Sequence, residues 1–149
     1  MSDAKEEAIN LIRSGKEAAL GTMEVLGPYV SACGYLYESP KRAGESGTLY
    51  LLLSDLARHS KNIVKNSIVS LLIVENNSNL PIHEKKRVTV KGKALLLQDS
   101  GKRESLKARY LESFPRSEIF FSLPDFRFYE VMIEEIHWIG GFGKAATLS

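Results

Sequence analysis

The sequence predicts a mainly β domain of the α+β class, a small and largely antiparallel barrel with peripheral helices. Three observations predict it. Six stretches have the composition and spacing of strands, and turn formers separate several of them. The helical stretches do not alternate regularly with the strands, which argues against a doubly wound parallel sheet. Many short strands, with a glycine inside one of the longer ones, suit a sheet that curls and closes on itself. The 149 residues fit one domain spanning 1–149. A chain of this size buries roughly 68–70% of its unfolded surface and needs no disulfide or metal staple.

Asp3 to Ser14 is an amphipathic helix, with Ala4, Ala8, Leu11 and Ile12 at helical spacing. Asp3 and Glu6 resemble a capping box, and Gly15 suits the position just past the helix end. Lys16–Glu24 and Tyr29–Glu38 form the first two strands around a Leu26-Gly27-Pro28 turn. Ser31, Ala32, Cys33 and Gly34 are small enough to admit a flat ligand or another backbone, and equally suit a tightly packed sheet. Ser39–Gly47 is a loop of turn formers. Thr48–Leu53 is an unbroken apolar run, as in a central strand. A polar turn follows, then a helix of about two turns ending near Asn66 and a strand over Ser67–Val74.

Asn76 to His83 is an exposed loop by composition. Lys86–Gln98 is the longest alternating stretch before the final strand, and Gly92 marks a bulge or bend in it. Ser100–Phe114 is an amphipathic helix carrying Leu106, Tyr110, Leu111 and Phe114. Pro115 disfavours helical geometry at Phe114 and opens a second short helix through Leu123. Asp125–Ile139 is the last strand, Gly140-Gly-Phe-Gly143 ends it, and Ala145–Ser149 is a short tail.

The polar turn gathers the candidate chemistry. Ser54, Arg58, His59, Ser60, Lys61 and Asn62 lie between two apolar runs. Hydroxyls, cations and a helix start beside a strand end suit an anion. Ser60 is placed to cap the helix or to meet the anion, with the N–H groups of Lys61 and Asn62 pointing the same way. A purely structural turn with solvated charges fits the same spacing equally well.

Several function classes are disfavoured. Net charge is +2 with both signs mixed, unlike the strong basic patch of a nucleic-acid binder. Only the Lys86–Lys93 strand is basic, and it lacks the aromatics of an oligonucleotide-binding barrel. The lone Cys33 forms no internal disulfide and suits a buried strand position better than a nucleophile. The charged N-terminus is unlike a signal peptide, and no apolar run approaches the roughly 20 residues of a membrane span. A cytoplasmic location is the expectation. His59, His83 and His137 lack metal-ligand spacing, so no metal site is expected. Glu134 and Glu135, as strand neighbours, would face opposite ways and could not act as a pair. No side chain qualifies as a general acid or base.

Three blocks carry a family likeness. Gly27-Pro-Tyr-Val-Ser31 leads to Leu53-Ser-Asp-Leu-Ala-Arg-His-Ser-Lys-Asn62 and Ser70-Leu-Leu72. Arg87-Val-Thr-Val-Lys-Gly-Lys-Ala94 is the second. Pro115, Asp125-Phe-Arg-Phe-Tyr129 and Gly140-Gly-Phe-Gly-Lys-Ala145 make the third. In order and at this spacing, they resemble the FMN-binding split-barrel superfamily. The nearest likeness is to its pyridoxamine-phosphate-oxidase-related branch, which includes haem-utilisation proteins. In haem-degrading relatives, the histidines that contact haem lie in a region beyond the equivalent of residue 149.

The resemblance implies FMN as cofactor, bound at the subunit interface of a homodimer. It implies Leu53, Ser54, Arg58, His59, Ser60, Lys61 and Asn62 as the segment that meets the phosphate and ribityl chain. It places Ser31 and Ala32 where relatives lay the isoalloxazine on strand backbone. Trp138 and Phe142 are candidates to close the pocket from the neighbouring subunit, and Arg87 to supply a second cation to the phosphate or a substrate. The implied activity is a flavin-dependent oxidoreductase or reductase reaction on a small molecule. The other implied roles are haem binding, or carrying or sensing flavin without turnover.

Overall fold

A computed structural model of the chain describes residues 3–141 and 143–148. Its elements are α1 (Asp3–Ser14), β1 (Glu17–Glu24), β2 (Gly27–Glu38), β3 (Thr48–Ser54), α2 (Arg58–Lys65) and β4 (Ile68–Val74). They continue with β5 (Lys86–Leu96), α3 (Ser100–Ser113), α4 (Glu118–Phe121), β6 (Phe126–Gly140) and β7 (Ala145–Leu148). Short 3₁₀ turns cover Ile82–Glu84 and Pro115–Ser117.

The sheet runs in the order β3-β2-β1-β4-β5-β6-β7, and a further β3–β6 pairing closes it into a barrel. The ladders are antiparallel. Along one edge, β6 pairs with β3 from Phe126 to Met132 and then with β7 from Ile136 to Ile139. The barrel is split where β6 changes partner. The segment expected as a C-terminal tail is therefore a strand. On either side of the glycine-rich stretch before it, the Gly140 N–H donates to the Lys144 carbonyl at 3.0 Å.

Alternation explains β3. Leu49, Leu51 and Leu53 point into the barrel, while Tyr50 and Leu52 point to a second core under α3 and α4. Both faces are buried, hence the unbroken apolar run. The second core adds Leu36, Leu106, Tyr110 and Phe128, with the Tyr110 and Phe114 rings 4.5 Å apart. Asp99 caps α3 by accepting from Lys102 N–H at 3.1 Å.

The bulge falls opposite Gly92, where the register steps from Lys91–Glu135 to Gly92–Ile133. The extra residue is Glu134 on β6, so Glu134 and Glu135 both escape the core between buried Ile133 and Ile136. This corrects the expectation of opposite faces, because a bulge interrupts alternation. A side chain at Gly92 would put its Cβ 2.5 Å from the Met132 carbonyl oxygen. Gly15 likewise ends α1 without a left-handed turn. What requires it is the Tyr35 hydroxyl, 2.3 Å from where a Cβ would lie.

Helices plug the two barrel ends. α1 inserts Ala8 and Ile12 beside Val88 and Trp138, and the Tyr35 hydroxyl donates to the Ile12 carbonyl at 2.7 Å. α2 crosses the other end and inserts Ile63. No helix of the described residues is long and apolar enough to cross a membrane.

Candidate functional site

The polar turn between β3 and α2 is stitched internally. Ser54 accepts from Leu56 N–H at 3.1 Å and donates to Asp125 at 2.6 Å. Asp55 receives Arg127 Nε at 2.6 Å, and its own N–H donates to the Asp125 carbonyl at 2.7 Å. Ser54 therefore spends its hydroxyl on the turn. Leu53 is 2% exposed inside the barrel, so its side chain belongs to the core and not to a cofactor pocket.

The helix begins one turn earlier than a cap at Ser60 requires. Ala57 is the N-cap, and it makes no side-chain cap bond. The N–H groups of Ser60 and Lys61 both donate to the Ala57 carbonyl, at 3.1 and 3.2 Å. This corrects the expectation that Lys61 N–H would meet an anion. The open backbone donors of the helix start are those of Arg58 and His59.

α2 splits the expected cluster three ways. Arg58 and Asn62, one turn apart, lie on the flank facing the β1–β2 hairpin. Arg58 makes a bidentate pair with Glu24, Nε at 2.6 Å and Nη2 at 2.7 Å, and its guanidinium lies 4.5 Å from the Tyr29 ring centroid. Asn62 donates to Glu24 and to Thr22, both at 3.0 Å. Hydrogen bonds from Arg58 and Asn62 hold the Glu24 carboxyl below its usual range.

His59 points toward β2, where its Nδ1 lies 2.8 Å from Ser31 Oγ. Its Nε2 is buried without a partner. Burial lowers the imidazole pKa, which favours the neutral ring. Ser60 is 1% exposed, and its hydroxyl is also buried without a partner. Ser60 and Lys61 line a cavity of about 340 Å³ with Asp55, Val64, Lys65 and Tyr129.

Ser31 and Ala32 take opposite faces, as strand neighbours must. Ser31 faces His59, whereas Ala32 lies on the outer face of the sheet. There, one cross-strand row runs Ala32, Ala19, Leu72, Thr89, His137, Thr147. His137 Nδ1 lies 2.8 Å from Thr147 Oγ1. Small and apolar residues continue this face at Gly21 and Val30, with Val30 67% exposed, while Tyr110 and Phe114 cover it at Gly34.

Position limits one expectation and removes another. Arg87 pairs with Val74 at the α1 end of β4, whereas Ile68, just beyond α2, pairs with Lys93. Six strand residues separate these levels, about 20 Å at about 3.3 Å each. Arg87 therefore supplies no cation to the α2 turn of its own chain. Trp138 is 2% exposed in the barrel core, packed there with the α1 residues, so it closes no pocket from a neighbouring subunit. Phe142 lies outside the described residues.

The sequence reading missed Glu24, Thr22 and Tyr29 as neighbours of this turn. Nothing in linear spacing links them to Arg58, because the β1–β2 hairpin reaches α2 only in the folded barrel. Asp55 stood inside the motif, and its acidic character was the available signal.

Comparison with known proteins agrees with this architecture. A haem-binding protein from Mycobacterium smegmatis superposes with a TM-score of 0.84 at 23% identity, over 100% of this chain and 59% of that one. The chain thus spans about three fifths of that protein's length. A pyridoxamine 5'-phosphate oxidase-like protein from Listeria innocua gives a TM-score of 0.70 at 15% identity, over 92% of this chain and 98% of that one. A FAD-binding protein from Mesorhizobium loti gives 0.66 at 17%, over 91% and 92%. No curated protein sequence matches the chain. These neighbours share the chain's largely antiparallel split-barrel fold, the fold that the sequence blocks implied. The family description "CREG, beta-barrel" matches residues 1–149, and the chain belongs to that family.

Proposed function

We propose that the chain binds FMN, with its phosphate at the start of α2 and its ring on the outer sheet face, in support of an oxidoreductase or reductase reaction on a small molecule. The observation that carries this reading is His59. In the tautomer in which the Ser31 hydroxyl donates to Nδ1, the neutral ring bears its proton on Nε2, a buried nitrogen with no protein partner. A phosphate or ribityl oxygen would satisfy it. The open N–H groups of Arg58 and His59 favour the same anion, and the Arg58 guanidinium is within the same turn. The outer face offers a floor of Ala19, Ala32 and Gly21, small enough for a flat ring to approach the backbone.

The residues present therefore fit a phosphorylated flavin at this turn, with Ser54 and Leu53 serving the scaffold. The flavin supplies electron or hydride transfer when bound. The chain's own residues bind and orient it: His59 and Arg58 hold the tail, and the small strand residues set the approach of the ring. No side chain here is assigned to proton transfer.

A second copy of the chain is proposed to cover this face. Met23, Val30, Ile68 and Leu72 are exposed along it, and Val25 and Leu26 at the hairpin tip are fully so. Arg87 then meets a flavin only across the interface. A second reading, haem binding, is favoured by His137. Thr147 holds its Nδ1, leaving Nε2 of an exposed ring on an apolar sheet face.

The test is flavin uptake. The purified chain takes up FMN at micromolar concentration, seen as a flavin absorption band retained after gel filtration. Replacing Arg58 and His59 with alanine weakens FMN by about tenfold or more and riboflavin much less, because only FMN carries the phosphate. Equal losses for both flavins remove the phosphate assignment, and failure of uptake removes the whole reading. A Soret band on haem titration, abolished in His137→Ala, would establish the second reading instead.

A further inference from the structure

Arg58 and Asn62 are able to receive a phosphate on their flank of α2, which Lys65 shares, yet both already hold a carboxylate of the same chain. We propose that Glu24 is the specificity-determining residue of this site: an internal anion that occupies the phosphate seat and that an incoming phosphate must displace. The proposal rests on the reading of the α2 start as the phosphate site.

The seat is built as an anion socket. Arg58 presents two parallel donors to the Glu24 oxygens at 2.6 and 2.7 Å, and Asn62, one helical turn on, adds a third at 3.0 Å. Bidentate guanidinium geometry suits phosphate as well as carboxylate. Tyr29 lies 4.5 Å beneath the guanidinium, and Thr22 accepts from Asn62, so both donors are held in place before a ligand arrives. Glu24 is the last residue of β1, fixed by pairing with Gly27 across the two-residue hairpin turn. Its carboxylate reaches the socket by the position of the hairpin alone.

Exchange is physically open. The Arg58 side chain is 64% exposed, and an ion pair at such a surface contributes little net stability. The socket opens into a cavity of about 540 Å³ that Lys65 also lines, giving the displaced carboxylate room and a second cation. A phosphomonoester brings about −1.5 to −2 charges and three acceptor oxygens against the single charge and two oxygens of Glu24. It wins the seat, but gains only the difference. A flavin without phosphate leaves the Glu24–Arg58 pair closed. Glu24 thereby weakens FMN selectively and narrows the preference for FMN over riboflavin.

The experiment uses the full chain and Glu24→Gln, which keeps the shape and removes the charge. FMN and riboflavin binding are followed by flavin fluorescence. Inorganic phosphate is titrated separately against the Arg58 Nε–Hε NMR signal. In E24Q, FMN binds about tenfold more tightly and riboflavin changes by less than about twofold. Inorganic phosphate shifts the Arg58 signal at correspondingly lower concentration. Unchanged phosphate and FMN affinities overturn the proposal, and so does an equal gain for both flavins. If neither protein binds any flavin, the FMN reading fails by itself, and the phosphate titration still decides the role of Glu24.

Discussion

At one end of the barrel, α1 delivers Ala8 and Ile12 at 0% exposure into an apolar core, and the Tyr35 hydroxyl donates to the Ile12 carbonyl. At the other end, α2 delivers Ile63 but also Ser60 and His59, which bring a buried hydroxyl and a buried ring nitrogen without partners. The same closure is thus made twice, once by a helix whose inserted side chains are apolar and once by a helix that also buries polar ones. A buried polar group without a partner costs roughly 1–3 kcal/mol, so α2 carries a penalty in its own side chains that α1 does not, and at the α1 end the orphaned buried atom is Arg87 Nε on β5. Of the four such atoms among the described residues, the two on α2 lie where a ligand can complete them.

Three substitutions break or sharpen that contrast. Ile12→Ala has the largest expected effect. It opens a cavity in a close-packed site and lowers unfolding free energy by about 2–5 kcal/mol in urea denaturation, while flavin affinity of the folded protein stays unchanged. A change in affinity would mean the two ends are coupled. Ser60→Ala works in the opposite direction. It removes an unsatisfied buried hydroxyl and stabilises the ligand-free chain by about 1 kcal/mol, read as a raised urea midpoint. Loss of stability instead would show that the hydroxyl is satisfied in solution and that the α2 end is not penalised.

The smallest effect is in pH. Burial holds the folded His59 pKa below the ordinary histidine value of 6.5. As pH falls, the unfolded chain takes up this proton first, so stability contributed by neutral His59 is present above about pH 6.5 and is lost toward the folded pKa. The wild type loses stability over that window relative to His59→Gln. Parallel pH profiles for the two proteins would show that His59 is not the group responsible.

Much of the architecture was legible because it depends on local pattern. Alternation in β5, the two-sided apolar run of β3, the turn chemistry before Tyr29 and the glycine opposite the bulge all report on neighbours a few residues away. Misreadings came where a distant strand decided. Ala145–Leu148 has no strong pattern and is a strand because β6 offers it an unpaired edge beyond β3. Trp138 sits near a strand end in sequence, yet α1 covers that end and buries it. Arg87 follows a family block, yet the register of β4 and β5 sets it at the far end of the barrel.

The candidate site divides along the same line. Residue order was enough to place a polar turn and a short helix between two strands, because hydroxyls, cations and a helix start are local features. It could not say which flank of α2 each side chain takes. That is set by the barrel's closure through β3–β6, which fixes how α2 lies across its mouth, with Arg58 toward β1, His59 toward β2 and Ser60 inward. The partnership of Glu24 with Arg58 is the clearest case. Thirty-four residues separate them in the chain, and only the return of the β1–β2 hairpin to α2 brings the carboxylate within 2.6 Å of the guanidinium.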